Sequence, residues 1–392
     1  MKPLSTGPSL LDAASLLCEV ADELVVRSAR DTHTAWLDRV HGVGRRVSGG
    51  SGAGVVELAH RGIAGAVYAG VGGGLRAASY GLDRVASTGL GPRLEEGREG
   101  QFVSSAVNGL IGDRLLRERP QMAIPMAVRH DRRDVDLTDP ADVAEAFPEP
   151  TGRLVVFLHG LCENEAYWNR GSEHTGTTYP IMLAERGWTP LLLRANTGLP
   201  LRENGVALSA LLQEVVERWP VPVERIALVG HSMGGLVVRA AGAVASDVAE
   251  PWTERVSDVV TLGTPHLGAP IATGIGHGSR GLGRLPETAA FGRILDWRSA
   301  GVHDLVAGLA EDVPPLPHAR YRLVAATLTR SQRHPVGSVV GDLLVRPRSA
   351  YGRDRDGRTL FPDADMLHVG RTDHFGLLNH PRVHRALEQW LA

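Results

Sequence analysis

A chain of 392 residues has room for one large α/β domain and an appendage. Its 42 Lys and Arg against 44 Asp and Glu leave a formal charge of −2, so no cationic excess exists to neutralise a phosphate backbone, and a nucleic-acid partner is not expected. Cys18 and Cys162 stand far apart without metal-ligand spacing, which argues against a disulfide framework or a structural metal.

The first residues hold Lys2, Pro3, Gly7 and Pro8 ahead of Asp12 and Glu19, not a basic stretch followed by an apolar core and a cleavage site, so a cytoplasmic protein is expected. From residue 9 to about 118, apolar residues recur at helical spacing: Leu10, Leu11, Ala14 and Leu17, then Leu24 and Val25, and later Val103, Val107, Leu110 and Leu115. Glycines crowd positions 42 to 74, and each costs roughly 1 kcal/mol inside a helix. They need a use, such as close helix contact. The uncharged stretch Gly62 to Leu75 is too short and glycine-rich to cross a bilayer. Residues 1–120 therefore read as a helical, glycine-rich extension, and its helices are a candidate surface for peripheral membrane contact.

Near Met126 the pattern changes to short apolar runs alternating with amphipathic stretches, the mark of a mostly parallel sheet covered by helices on both faces. Strands are expected at Leu154–Leu158, Pro190–Leu193, Ile226–Val229, Val256–Leu262, Tyr321–Thr327 and Met366–Val369. Helices are expected at Tyr179–Arg186, Gly205–Trp219, Met233–Val248 and Pro381–Leu391, the last opened by Pro381 behind Asn379 or His380. Residues 121–392 thus form the α/β domain, with an insertion at about 266–320 that has helical pieces near Phe291–Trp297 and Val302–Leu309 and could cover a pocket.

Gly230-His231-Ser232-Met233-Gly234 is a G-x-S-x-G string, weak alone but placed directly between a buried-strand pattern and a helix. A turn that tight strains the serine backbone, and Gly230 and Gly234 leave room for neighbouring chain. A serine hydroxyl needs a base within reach and a carboxylate to orient that base. His374, between the last short strand and the closing helix, is the favoured base; His368 falls in the strand, and His380 and His384 at or in the helix. Asp342, between apolar neighbours, is the favoured acid over Asp354, Asp356, Asp363 and Asp373. Two amides must stabilise an oxyanion: Met233 supplies one, and Leu161, after the turn at Gly160, the other. His159 reads as a brace for that turn, and Cys162 as a packing residue.

Leu158-His159-Gly160, Gly230-His231-Ser232-Met233-Gly234-Gly235 and Gly263-Thr264-Pro265-His266-Leu267-Gly268-Ala269-Pro270 together resemble the bacterial lipase/esterase branch of the α/β hydrolases, and the GPI inositol-deacylase-like proteins. The likeness covers about residues 126–392. Gly341-Asp342-Leu343-Leu344-Val345 followed by Ser349-Ala350 fits the family's acid motif, and His374-Phe375-Gly376-Leu377-Leu378 with His380-Pro381 its histidine motif. The resemblance implies an α/β-hydrolase fold and ester hydrolysis by Ser232, Asp342 and His374, with no cofactor; it is what selects Asp342. The expected substrate is a small-molecule or lipid ester. Acyl transfer and thioester hydrolysis would use the same triad, and a non-catalytic membrane- or partner-binding module is the reading outside catalysis. Arg346 and Arg348 follow the acid closely and read as a solvated face.

Overall fold

The computed structural model describes residues 8–27, 29–31, 33, 34, 37, 53–89, 92–94, 97–269, 299–309, 313–354 and 356–392, the side chains of 24, 25, 53–57 and 336 excepted. The expected helical piece at Phe291–Trp297 and the middle of the insertion lie outside them. The chain divides into two compact units, residues 1–101 with 273–298, and residues 102–272 with 299–392.

In the first unit, Ser9 caps the helix Leu10–Val20 reciprocally with Asp12, and the helix runs on as a π-helical turn, Ala21–Val26. Beside it lies the 34-residue helix Ala53–Ala86. Ser15 meets Ser79 through its hydroxyl (2.8 Å), and Asp22 takes a 2.6 Å ion pair from Arg76. A β-carbon at Gly72 would stand 2.4 Å from Asp22 Oδ1, so here glycine does serve close approach. Gly62, Gly65, Gly70, Gly73 and Gly74 have open space around them.

The second unit is built on eight strands: β1 Ala127–His130, β2 Arg133–Asp134, β3 Arg153–Leu158, β4 Thr189–Arg194, β5 Arg225–His231, β6 Val256–Leu262, β7 Arg320–Thr327 and β8 Asp365–Gly370, in the order β2-β1-β4-β3-β5-β6-β7-β8. From β4 to β8 every pairing is parallel; β1 is antiparallel to both its neighbours. Side chains alternate between the faces. Leu154, Val156, Leu158, Ile226, Leu228 and Leu323 pack on one side with Leu208, Leu212 and Leu236 from the helices Leu201–Arg218 and Met233–Gly242. Val155, Phe157, Ala227, Val229, Val260 and Val324 pack on the other with Met182, Leu183, Val383 and Leu387 from the helices Tyr179–Ala184 and Pro381–Trp390.

The chain leaves β3 toward β4 on one side, then crosses back to β5 and continues to β6 on the other. Between β3 and β5 the connections therefore diverge, opening the crevice in which open α/β sheets hold ligands.

Three boundaries differ from the sequence reading by more than two residues. The helix expected to run to Val248 ends at Gly242, and the one expected from Gly205 begins at Leu201, immediately after Pro200. The unit boundary falls at 101/102 instead of 120/121, because the helix Arg98–Glu118 packs onto the loops after β3 and β4: a β-carbon at Gly109 would stand 2.4 Å from Cys162 Sγ, and one at Gly112 1.8 Å from Asn196 Oδ1.

Asn379, buried with φ +53°, joins the loop ahead of the last helix to distant chain: its Oδ1 accepts from Tyr179 N (2.8 Å), and its Nδ2 donates to the carbonyls of Trp168 (2.7 Å) and Arg170 (2.9 Å). Asn379→Ala loses all three bonds and puts alanine in a left-handed conformation, so a loss of about 3 kcal/mol or more is expected, read as a lower urea midpoint with unchanged slope.

Candidate active site

β5 delivers Ser232 to the crevice. The serine has φ +52° and ψ −122°, a conformation that costs of order 1–3 kcal/mol and persists only where the surroundings enforce it. They do: Ser232 N donates to Leu262 O at 2.8 Å, and the helix starts at the next residue, Met233. Gly234 is required by contact, since a β-carbon there would lie 2.3 Å from Leu158 O and 2.6 Å from His159 O; one at Gly230 would meet Gly235 N at 2.5 Å.

Asp342 comes from the chain after β7, and His374 from the chain after β8. Leu328 N, just past β7, bonds Gly341 O at 3.0 Å, so the excursion that includes the helix Pro335–Val340 returns its acid to the strand tip. Asp342 Oδ1 accepts from the amides of Leu344 (3.0 Å) and Val345 (2.8 Å), while Oδ2 faces His374 Nδ1 at 2.8 Å. A backbone bond, His374 N to Asp342 O at 3.0 Å, runs alongside. Both side chains are buried. With Nδ1 donating to a carboxylate, the imidazole presents Nε2 as its free nitrogen, and that atom is buried without a hydrogen-bond partner. The three-member relay anticipated from sequence is thus formed at its acid–base half only.

Gly263 explains one motif. It is left-handed, φ +61°, and a β-carbon would press on His374 Cε1 and Nδ1 at 3.1 Å. Ser349 explains another: its Oγ accepts from Leu267 N (3.1 Å) and bonds Gly268 O (2.7 Å), while its carbonyl takes His266 N (3.1 Å). The Ser-Ala after the acid therefore fastens the Gly-Thr-Pro-His loop to the acid segment. Burial holds His266 neutral, its pKa lowered to about 3.

The loop after β3 is fixed by His159. Its Nε2 accepts from Ala195 N (3.1 Å), so the proton is on Nδ1, which donates to Gly160 O (3.0 Å); burial lowers its pKa and keeps the ring neutral. Glu163 N also reaches Gly160 O, at 3.2 Å. The 160–161 peptide is planar and trans, so the Leu161 N–H points away from these two donors. Gly160 adjoins the nucleophile turn, its β-carbon position being 3.0 Å from Ser232 Cβ. Cys162 is no rival nucleophile, because burial raises its thiol pKa to about 11.

The other nominees are engaged elsewhere. Asp373 Oδ1 takes Gly376 N (2.7 Å), Asp354 Oδ1 takes the amides of Asp356 (2.9 Å) and Arg358 (2.8 Å), and Asp363 is exposed. His368 Nε2 meets Thr327 Oγ1 at 2.9 Å, His380 Nδ1 caps the last helix by accepting from Arg382 N at 3.1 Å, and the His384 ring lies tilted against Tyr179. Arg346 donates to Val339 O at 2.8 Å and Arg348 to Asp354 O.

The strand order, the crevice between β3 and β5, and the strained serine where β5 becomes a helix together decide the architecture. The fold is that of the α/β hydrolases. Residues 195–279 match the family model described as PGAP1-like alpha/beta domain, a stretch that carries the Gly-His-Ser-Met-Gly and Gly-Thr-Pro-His motifs. Among solved structures, the chain is similar to the mature lipase BlEst2 of Bacillus licheniformis, with 20% identity over 62% of this chain and 94% of that one (TM-score 0.43). It is also similar to the bromoperoxidase of Bacillus anthracis, 14% identical over 62% and 92% (TM-score 0.38), and to the esterase RhEst1 of Rhodococcus sp. ECU1013, 14% identical over 61% and 90% (TM-score 0.37). A search of curated proteins finds no match. No described helix is long and apolar enough to cross a membrane.

One part of this site escapes sequence reasoning. Glu163 and His231 are both buried, and His231 Nδ1 stands 3.0 Å from Glu163 Oε2. Their separation of 68 residues leaves no local signal.

Proposed function

We propose that the chain hydrolyses carboxylic esters through an acyl-serine intermediate on Ser232. The observation that carries this reading is the buried Asp342–His374 pair with its free Nε2, on a loop that meets His231, the residue before a serine held in a strained turn. Ser232 Oγ attacks the ester carbonyl carbon as His374 Nε2 takes the hydroxyl proton; Asp342 stabilises the imidazolium so formed. The carbonyl oxygen, now an oxyanion, is received by the amides of Met233 and Leu161. Met233 is the first residue of its helix, so its N–H has no carbonyl a turn earlier to satisfy it. Collapse of the tetrahedral species expels the alcohol, which takes the proton from Nε2. Water then attacks the acyl-serine by the same route, and the acid leaves with Ser232 restored.

The test is a series of p-nitrophenyl esters from acetyl to palmitoyl, together with labelling by a fluorophosphonate probe. Hydrolysis with stoichiometric labelling of Ser232 is the expected result, and the acyl length with the highest kcat/KM separates a small-ester from a lipid substrate. No turnover of any ester and no label would refute the proposal.

A further inference from the structure

Three segments of the site converge on one buried pair. Glu163 Oε2 accepts from Gly160 N at 2.6 Å, which ties it to the turn after β3. The same oxygen faces His231 Nδ1, on the residue preceding Ser232. His231 Nε2 in turn faces the carbonyl oxygen of His374 at 3.3 Å, and the two imidazole rings lie 4.9 Å apart. We propose that Glu163 and His231 form an ion-pair clamp of positioning residues that holds the oxyanion turn, the nucleophile turn and the His374 loop in mutual register. The proposal rests on the ester-hydrolase reading of this site.

The charge state follows from the acceptors. Both nitrogens of His231 face oxygens that cannot donate, a carboxylate and a backbone carbonyl, so both can be satisfied only if both carry protons. Burial would push the imidazolium toward losing its proton, but the Glu163 carboxylate outweighs that and leaves the pKa of His231 above its ordinary value. Burial likewise opposes the Glu163 charge, and the charge and hydrogen bond of His231 outweigh it, so the carboxyl titrates below its ordinary range. Beyond each other, Glu163 faces His159, Cys162 and Tyr167, while His231 faces Asp342 and the His374 and Phe375 rings. His159 and Cys162 are neutral, so His231 is the cation paired with Glu163.

The linkage has a definite sign at each end. His231, raised on folding, stabilises fully below the ordinary histidine range and loses that contribution as pH rises through its folded value. Glu163, lowered on folding, stabilises fully above the ordinary carboxylate range and loses it as pH falls through its folded value. The clamp is whole between the two.

The test uses the full chain. With 15N-histidine labelling, the His231 ring of the wild type is expected to stay doubly protonated to higher pH than an ordinary histidine, and Glu163→Gln is expected to lose that difference. Glu163→Gln should also lower kcat by about 10- to 100-fold with KM changed less than about threefold, since a small displacement of reacting groups acts on the chemical step. It should remove the alkaline fall of kcat that deprotonation of His231 gives the wild type. A neutral His231 in the wild type overturns the charged clamp without any variant having to fold. An imidazolium that is present while Glu163→Gln keeps wild-type kcat and pH profile overturns the positioning role. If wild-type protein takes no fluorophosphonate label and cleaves no ester, the hydrolase reading fails on its own, and an imidazolium seen in that protein reduces the pair to a packing feature.

Discussion

Ser232→Ala is expected to lower kcat for p-nitrophenyl ester hydrolysis by about a millionfold, to the level set by binding and oxyanion stabilisation alone. Cys162 cannot act in the serine's stead, because burial raises its thiol pKa to about 11 and keeps it protonated at neutral pH. Alanine keeps the backbone strain of a left-handed serine and removes only the hydroxyl, so the variant should fold and bind substrate with a near-normal KM. Fluorophosphonate labelling should disappear with the activity. Residual turnover within tenfold of the wild type would mean that another group carries the reaction.

Asp342→Asn should cost about 10⁴-fold in kcat while leaving the fold intact, because it changes a tautomer and not a shape. The asparagine oxygen can still accept from Leu344 N and Val345 N, as Asp342 Oδ1 does. Its amide group then faces His374 Nδ1, and a donor there requires Nδ1 to accept. The ring proton moves to Nε2, where it blocks the lone pair that must receive the serine proton. The check is single-turnover kinetics alongside the melting temperature: a large loss of acylation rate at nearly constant stability is the expected pair of results, and a loss below about tenfold would remove Asp342 from the mechanism.

What the sequence disclosed about this site follows how local each cause is. Ser232 is legible because strand, turn and helix are consecutive, and the steric demand for Gly234 lies two residues from the serine. The central parallel strands β3 and β5 are legible because they are buried on both faces and read as nearly unbroken apolar runs. β1 and β2, only four and two residues long, carry no such run. Asp342 needed the family's motif, since nothing in its spacing excludes Asp354 or Asp373; what distinguishes it is a pair of amides and an imidazole 32 residues on. Glu163, and the partners of the Ser349 that the motif includes, stayed hidden for the same reason. Each acts on chain segments more than 60 residues away, and such contacts have no period to read. Periodicity also overran the helix after Ser232, because apolar spacing persists to Val248 where the backbone has already turned at Ala243.

The reversal of direction between β3 and β5 has a consequence for how such a protein can be divided. The stretch from 195 to 279 holds the proposed nucleophile and its supporting glycines, yet the proposed base and acid enter from the last third of the chain. A fragment with those ends would keep a poised hydroxyl and have nothing to take its proton. Inheritance can therefore act on the two parts at different rates, one bound by steric contact within a few residues, the other free to change its loops so long as an imidazole still arrives at the same point in space.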